Sequence, residues 1–174
     1  MDSGAHILNA GKKQMDLLAK RLVWILQRLA GLLFAGLFLV TVLNIALRNL
    51  GGITWLWIPG ISRLLFIWTV FLGTASLYET EDHLIMDFLV NKMKESRRRK
   101  LNLVINSIFL AFSLILVIYG FIVVRVRMGI PFETWNFPTA YAYLAVPVSG
   151  VIMVFFCINK LRKLVKGAAY EQRV

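Results

Sequence analysis

Residues 91–100 read NKMKESRRRK, and residues 101–124 read LNLVINSIFLAFSLILVIYGFIVV. The first stretch carries six Lys and Arg residues, whereas the second carries no charge. A membrane core about 30 Å thick is crossed by a helix of roughly 20 apolar residues. Basic residues are favoured on the cytoplasmic side of such a helix. These two stretches therefore predict a helical membrane protein with the basic segment on the cytoplasmic side.

Three further stretches are long, apolar and almost free of charge. Between residues 49 and 78 the only charge is Arg63, and Pro59 with Gly60 is expected to break any helix there, so the second span begins at about residue 61. The sequence thus predicts an all-α protein with four membrane-spanning helices. The predicted spans are residues 29–47, 61–78, 101–124 and 137–159.

The basic residues are distributed unevenly around these spans. Five precede the first span, six lie between the second and third, and five follow the fourth, whereas only four lie elsewhere. This distribution predicts that both termini are cytoplasmic in a multi-pass protein of the bacterial inner membrane. A net charge of +11 in a soluble protein suggests nucleic-acid binding. Here the basic residues flank apolar spans, where they meet anionic headgroups, so we expect no nucleic-acid partner.

Two segments outside the spans have apolar residues spaced three and four positions apart. Residues 1–28 and the loop of residues 79–100 are therefore predicted to form amphipathic helices at the cytoplasmic interface. Residues 160–174 form a basic cytoplasmic tail. The apolar residues are Met15, Leu18, Leu22, Ile25 and Leu29 in the first segment, and Leu84, Ile85, Phe88, Leu89 and Met93 in the loop.

The chain lacks the usual motifs of an enzyme or a complete transporter. Its two histidines, His6 and His83, lie outside the spans, where they cannot hold a haem from both sides. Neither a metal-ligand cluster nor a glycine-rich phosphate loop is found. All nine acidic residues lie in loops or tails, and no inverted repeat is evident. We therefore expect a non-enzymatic membrane subunit, without a cofactor of its own, that acts through a partner.

A few polar and aromatic residues in or beside the spans are candidates for contact with a partner subunit or with lipid. Asn44 and Arg48 are four residues apart and share one helix face, which meets either a second subunit or headgroups. Arg63 would cost about 2.5 to 3.5 kcal/mol at the middle of the bilayer, so we expect it to snorkel outward or to be paired. Trp57 belongs at the external interface. Pro147 is expected to kink the fourth span.

Four short motifs resemble those of one transporter family. They are NIALRN at residues 44–49, WLW at 55–57, RLLFIWTVFLGT at 63–74 and HLIMD at 83–87. Together they resemble the small Q-type membrane subunit of tripartite ATP-independent periplasmic (TRAP) transporters. The family commonly has acidic residues three or four positions before the arginine of the second span, where this chain has Pro59 and Gly60. The residues that match the family's own are Arg48, Arg63, Trp68, Gly73, His83 and Asp87.

The resemblance implies a scaffold function. The small subunit packs against a large membrane subunit that holds the Na⁺ and substrate sites, and a periplasmic binding protein delivers an organic acid, of the sialic acid or C4-dicarboxylate type. Overall likeness favours sialic acid. A small multidrug exporter needs a carboxylate within the membrane, which this chain lacks. A haem-free anchor subunit of a respiratory or other membrane enzyme remains as the alternative.

Overall fold

The computed structural model describes residues 3–52, 55–80, 95–133 and 135–171. Four of its helices are long and apolar enough to cross a membrane, over Leu17–Leu50, Ile58–Thr80, Lys100–Arg127 and Ala140–Arg162. The predicted all-α protein with four spans is confirmed. In chain order the elements are α1 (Ser3–Gly51), α2 (Ile58–Thr80), α3 (Glu95–Arg127), β1 (Pro131–Phe132), β2 (Trp135–Pro138), α4 (Ala140–Tyr143) and α5 (Ala145–Glu171).

Helix α1 is one continuous helix of 49 residues. It contains both the predicted amphipathic segment and the predicted first span, with no break at residue 28. Small and aliphatic residues repeat along one face at intervals of four, three and four positions, and this face is buried against Leu72 of α2 and Phe156 of α5. The buried residues of α1 are Ala19, Val23, Leu26 and Ala30.

Helix α2 begins at Ile58, three residues earlier than the sequence predicted. Pro59 lies in the first turn of α2, where a backbone N–H would have no acceptor within the helix. Proline lacks this N–H and so loses no hydrogen bond there, and Pro59 starts the helix rather than breaking it. Gly60 is buried, and a Cβ atom at this position would lie 3.5 Å from the ring of Phe132 in β1. The start of α2 therefore packs closely against the segment that follows α3.

Strands β1 and β2 form an antiparallel ribbon that the sequence did not predict. Pro131 pairs with Pro138 and Phe132 pairs with Trp135. Thr139 closes the ribbon, because its backbone N–H and its hydroxyl both donate to the carbonyl oxygen of Ile130 at 2.9 Å. The last span therefore begins with α4 at Ala140, after the ribbon, and not at residue 137.

Helices α3 and α5 pack with close backbone approach. A Cβ atom at Gly120 would lie 2.9 Å from Cδ of Pro147, and one at Gly150 would lie 2.9 Å from Cγ2 of Val117. The helical pattern is interrupted at Leu144, between α4 and α5, where Pro147 has no N–H to donate to the carbonyl of Tyr143. Beyond this point α5 continues to Glu171, so much of the predicted tail is helical.

Candidate functional site

One phenol ring contacts two arginines at the end of the bundle where α2 begins. Arg63 of α2 donates a hydrogen bond from Nη2 to the hydroxyl of Tyr143, at 2.8 Å. The guanidinium carbon of Arg63 lies 5.9 Å from the centre of the Tyr143 ring, and that of Arg127, the last residue of α3, lies 5.3 Å from it. We call Arg63, Arg127 and Tyr143 the Tyr143 cluster. It joins the ends of α2 and α3 through α4.

A cavity of about 200 Å³ lies beside the Tyr143 cluster. Both arginines line it, together with one acidic residue, Glu133, and the buried Thr139. Within the described ranges, neither Arg63 nor Arg127 forms an ion pair with a carboxylate. The remaining lining residues are Pro59, Gly60, Ile130, Pro131 and Phe132.

Trp68, which the sequence singled out, has a structural role in this region. Its indole Nε1 donates to the backbone carbonyl oxygen of Tyr141 at 3.0 Å, and its ring packs against the buried core. Arg63 and Trp68 both belong to α2, and both hold α4, one through Tyr143 and the other through Tyr141. Trp68 therefore helps to place Tyr143 between the two arginines.

A second polar cluster lies at the opposite end of α2. The hydroxyl of Tyr78 donates to Oδ1 of Asn106 in α3 at 2.6 Å and accepts from the Cys157 thiol of α5 at 3.1 Å. The amide nitrogen of Asn106 donates in turn to the carbonyl oxygen of Asn102 at 3.0 Å. We call Tyr78, Asn106, Cys157 and Lys160 the Tyr78 cluster. It connects three of the four long helices.

Lys160 is the charged member of the Tyr78 cluster and is only 7% exposed. Its ammonium nitrogen donates to the backbone carbonyl oxygen of Tyr78 at 2.6 Å, lies 3.9 Å from the centre of the Tyr78 ring and lies 3.8 Å from Oε2 of Glu79. A cation is favourable at the C-terminal end of a helix, where carbonyl groups lack helical partners. Lys160 thus stabilises the end of α2 from a neighbouring helix.

Other residues predicted from the sequence lie on the surface of the chain. In the part that the structure describes, the side chains of Asn44 and Arg48 make no hydrogen bond or ion pair, and Arg48 is exposed in the last turn of α1. A Cβ atom at Gly73 would have no neighbour within 4 Å. Trp57 stacks on Trp55, with ring centres 5.6 Å apart. These positions are open to lipid or to another subunit.

His83 and Asp87, the remaining predicted residues, lie outside the described residues. Sequence reasoning gave no role to Tyr78, Asn106 or Tyr143, although a tyrosine or asparagine inside an apolar stretch is itself a signal for a buried hydrogen bond. The sequence predicts that Lys160 belongs to the basic tail, because it follows the last apolar stretch directly. Its burial depends on how α5 packs against α2, which spacing along the chain does not give.

The described residues contain no group of three or more His, Cys, Asp or Glu side chains placed to hold a metal ion. The two polar clusters connect helices through hydrogen bonds and ring contacts of a tyrosine. Each one ties helix ends together through a tyrosine, and the Tyr143 cluster also leaves two guanidinium groups beside an open cavity. Two guanidinium groups beside an open cavity are suited to binding an anion.

Comparison with known proteins gives a match over most of the chain. Residues 37–167 match the family model described as "Tripartite ATP-independent periplasmic transporters, DctQ component". A similar curated protein is the "Sialic acid TRAP transporter permease protein SiaT" of Haemophilus influenzae (strain 86-028NP), which is 26% identical over 136 residues. That alignment covers 73% of this chain and 21% of the relative, so the chain spans about a fifth of the relative's length.

Proposed function

Because the chain belongs to the DctQ component family of TRAP transporters, we propose that it is the small membrane subunit that supports a separate, larger transport subunit. The family match over residues 37–167 is the observation that carries this proposal. In the proposed complex a periplasmic binding protein delivers the substrate, and the large subunit binds Na⁺ and moves the substrate across the inner membrane. The small subunit is proposed to conduct nothing itself, because Glu79, the one acidic residue in the four spans, lies one residue from the end of α2 and not within the membrane core.

The distribution of buried residues supports a scaffold. Between residues 31 and 50, α1 has no buried residue, whereas each of the other three spans has several. An apolar stretch of this length that has no buried residue in its own chain must meet lipid or another protein. Helix α1 therefore offers the largest surface on which a second membrane subunit can pack.

Within that surface, the end of α1 carries the residues best suited to specific contact. Arg48 and Asn44 lie one turn apart on the same face, and Arg48 has no partner in the described part of the chain. A guanidinium binds a carboxylate or two carbonyl oxygens in a planar arrangement. We propose that this face contacts the large subunit. Gly73, Trp57 and the undescribed pair His83 and Asp87 are further candidates for subunit contact.

The orientation and the substrate are parts of the same proposal. The charge distribution favours cytoplasmic termini, which puts the Tyr143 cluster at the periplasmic side and the Tyr78 cluster at the cytoplasmic side.

The name of the similar Haemophilus influenzae protein refers to sialic acid. We therefore propose a sialic acid as the first substrate to test and a C4-dicarboxylate as the second. The alternative of an anchor for a respiratory enzyme is disfavoured, because the matching family is a transporter component.

Reconstitution into proteoliposomes tests the proposed function. The full chain, a large TRAP membrane subunit and a periplasmic binding protein are combined, and uptake of labelled sialic acid or succinate is followed with an inward Na⁺ gradient. We expect uptake only when both membrane subunits are present, and none from the full chain alone. Uptake by the chain alone, or undiminished uptake without it, would contradict the scaffold function.

An Asp87→Ala variant of this chain is expected to insert into the membrane but to lower the recovery of the two-subunit complex.

A further inference from the structure

We propose that the cavity beside the Tyr143 cluster binds the phosphodiester headgroup of a membrane phospholipid. Arg63 and Arg127 both line this cavity, and neither has a carboxylate partner in the described ranges. Guanidinium groups prefer phosphate and carboxylate oxygens, to which they donate pairs of parallel hydrogen bonds. Two such groups on one cavity wall can donate paired hydrogen bonds to a single anion.

The charge and size of the cavity fit a single phosphodiester. The two arginines and Glu133 give the lining a net charge of +1, which a phosphodiester with one negative charge neutralises. The volume of about 200 Å³ is many times the roughly 10 to 15 Å³ of such space that one water molecule needs, so a phosphate group with its ester oxygens fits within the cavity.

The arginines are held in place before any ligand arrives. The Tyr143 hydroxyl accepts the hydrogen bond from Arg63, and the face of the same ring meets Arg127. Both contacts restrict flexible side chains, so less conformational entropy is lost when an anion binds. Tyr143 is thus a positioning residue, and the two guanidinium groups make the contact with the anion.

Neighbouring residues favour a lipid over an acidic segment of a protein. Phe66 follows Arg63 by three positions and Val123 precedes Arg127 by four, so each shares a helix face with its arginine. Phe66 is 55% exposed and Val123 is 39% exposed. Each arginine lies near the end of a membrane span with an exposed apolar side chain one turn deeper. An amphiphile satisfies both parts of this surface, with its phosphate at the arginines and its acyl chain along the apolar residues.

The test is native mass spectrometry of the full chain in detergent, with phosphatidylglycerol titrated in. Replacing one charged contact to the phosphate is expected to weaken lipid retention about tenfold, so Arg127→Gln should show this loss. Arg125→Gln is the matched control, because Arg125 lies two residues away in α3, is exposed and does not line the cavity. Thermal unfolding of each variant shows whether the fold is retained. A second pair of variants tests the charge of Arg63: Arg63→Lys, which keeps the positive charge, is expected to retain lipid better than Arg63→Gln.

Three outcomes would overturn the proposal. The first is equal lipid retention in the Arg127→Gln and Arg125→Gln variants. The second is displacement of the lipid by millimolar inorganic phosphate, which would mean that the cavity takes a free anion. The third is unchanged lipid retention together with weaker binding of the periplasmic protein or the large subunit. That result would assign the cavity to an acidic segment of a partner.

Discussion

The ammonium of Lys160 lies 2.6 Å from the backbone carbonyl oxygen of Tyr78, a residue 82 positions earlier in the chain. Tyr78 is two residues from the end of α2, where the helix leaves its last carbonyl groups without helical donors. A side chain from α5 supplies the missing donor. The hydrogen bond therefore stabilises the end of one membrane helix and fixes its position against another.

Replacing Lys160 with methionine tests this bond. The variant keeps the length of the side chain but removes the donor to Tyr78 and the charge near Glu79, so we expect the free energy of unfolding to fall by about 2 to 3 kcal/mol. Thermal unfolding in detergent measures the change. Lys100→Met is the matched control, since Lys100 is exposed at the start of the α3 span. Equal loss of stability in the two variants would show that the contact is not stabilising.

Replacing Tyr78 with phenylalanine removes one oxygen that connects α2, α3 and α5. Asn106 is buried and loses its donor at 2.6 Å, so we expect a loss of about 1 to 2 kcal/mol. Cys157 is the only cysteine and is fully buried, which makes its reaction with a membrane-permeant thiol reagent a local probe of opening. The reaction should be faster in Tyr78→Phe than in Tyr119→Phe, which alters an exposed tyrosine of α3. The same rate in both would argue against a connecting role.

Two glycine substitutions should have opposite effects. At Gly120 a methyl group would lie 2.9 Å from Cδ of Pro147 and 3.0 Å from its nitrogen, so Gly120→Ala should force α3 and α5 apart and cost about 1 to 3 kcal/mol. At Gly31 nothing lies within 4 Å, and alanine is the better helix former, so Gly31→Ala should be neutral or stabilise α1 by up to about 1 kcal/mol. Melting temperatures in one detergent compare the two. A stable Gly120→Ala protein would disprove the close approach.

The contact proposed for Arg48 can be separated from simple anchoring in headgroups. Lysine can snorkel as well as arginine, but its compact ammonium cannot make paired planar contacts with a carboxylate. We therefore expect Arg48→Lys to weaken the two-subunit complex in detergent more than Lys12→Ala does. Size-exclusion chromatography at several dilutions measures complex recovery. Indistinguishable recovery of the two variants would indicate that Arg48 meets only lipid.

The predicted orientation can be tested by labelling from outside the cell. Single cysteines at Ser96, Lys166 and Gly129 are introduced after Cys157 has been replaced. Because the basic segments are predicted to be cytoplasmic, an impermeant thiol reagent should label only the cysteine at Gly129. Labelling at Ser96 from outside would contradict the predicted topology.

The sequence predicted the number and nature of the spans well, because helix formation in a membrane depends mainly on the length of an apolar stretch. The boundaries were less accurate where local chemistry intervenes. Pro59 starts α2 instead of preceding it, and β2 occupies the first residues of the predicted last span, which begins at Ala140.

The contacts of the two clusters could not be predicted in the same way. The sequence indicated that Arg63 would snorkel or be paired, but its partner Tyr143 lies 80 residues later. Spacing along a helix shows which residues share a face and does not show which helices meet. Lys160 illustrates the same limit, since a lysine after the last apolar stretch looks like a solvated flanking charge and is instead buried.

The unbroken length of α1 has a mechanical consequence. Its 49 residues extend over about 74 Å, and the 34 residues of its span over about 51 Å, whereas the membrane core is about 30 Å thick. Such a helix must lie obliquely or project from the bilayer. Because the helix is unbroken, a change of about 10° in its tilt would move one end by about 13 Å relative to the other. Any partner that holds the Arg48 end therefore also sets where the N-terminal end of the helix lies.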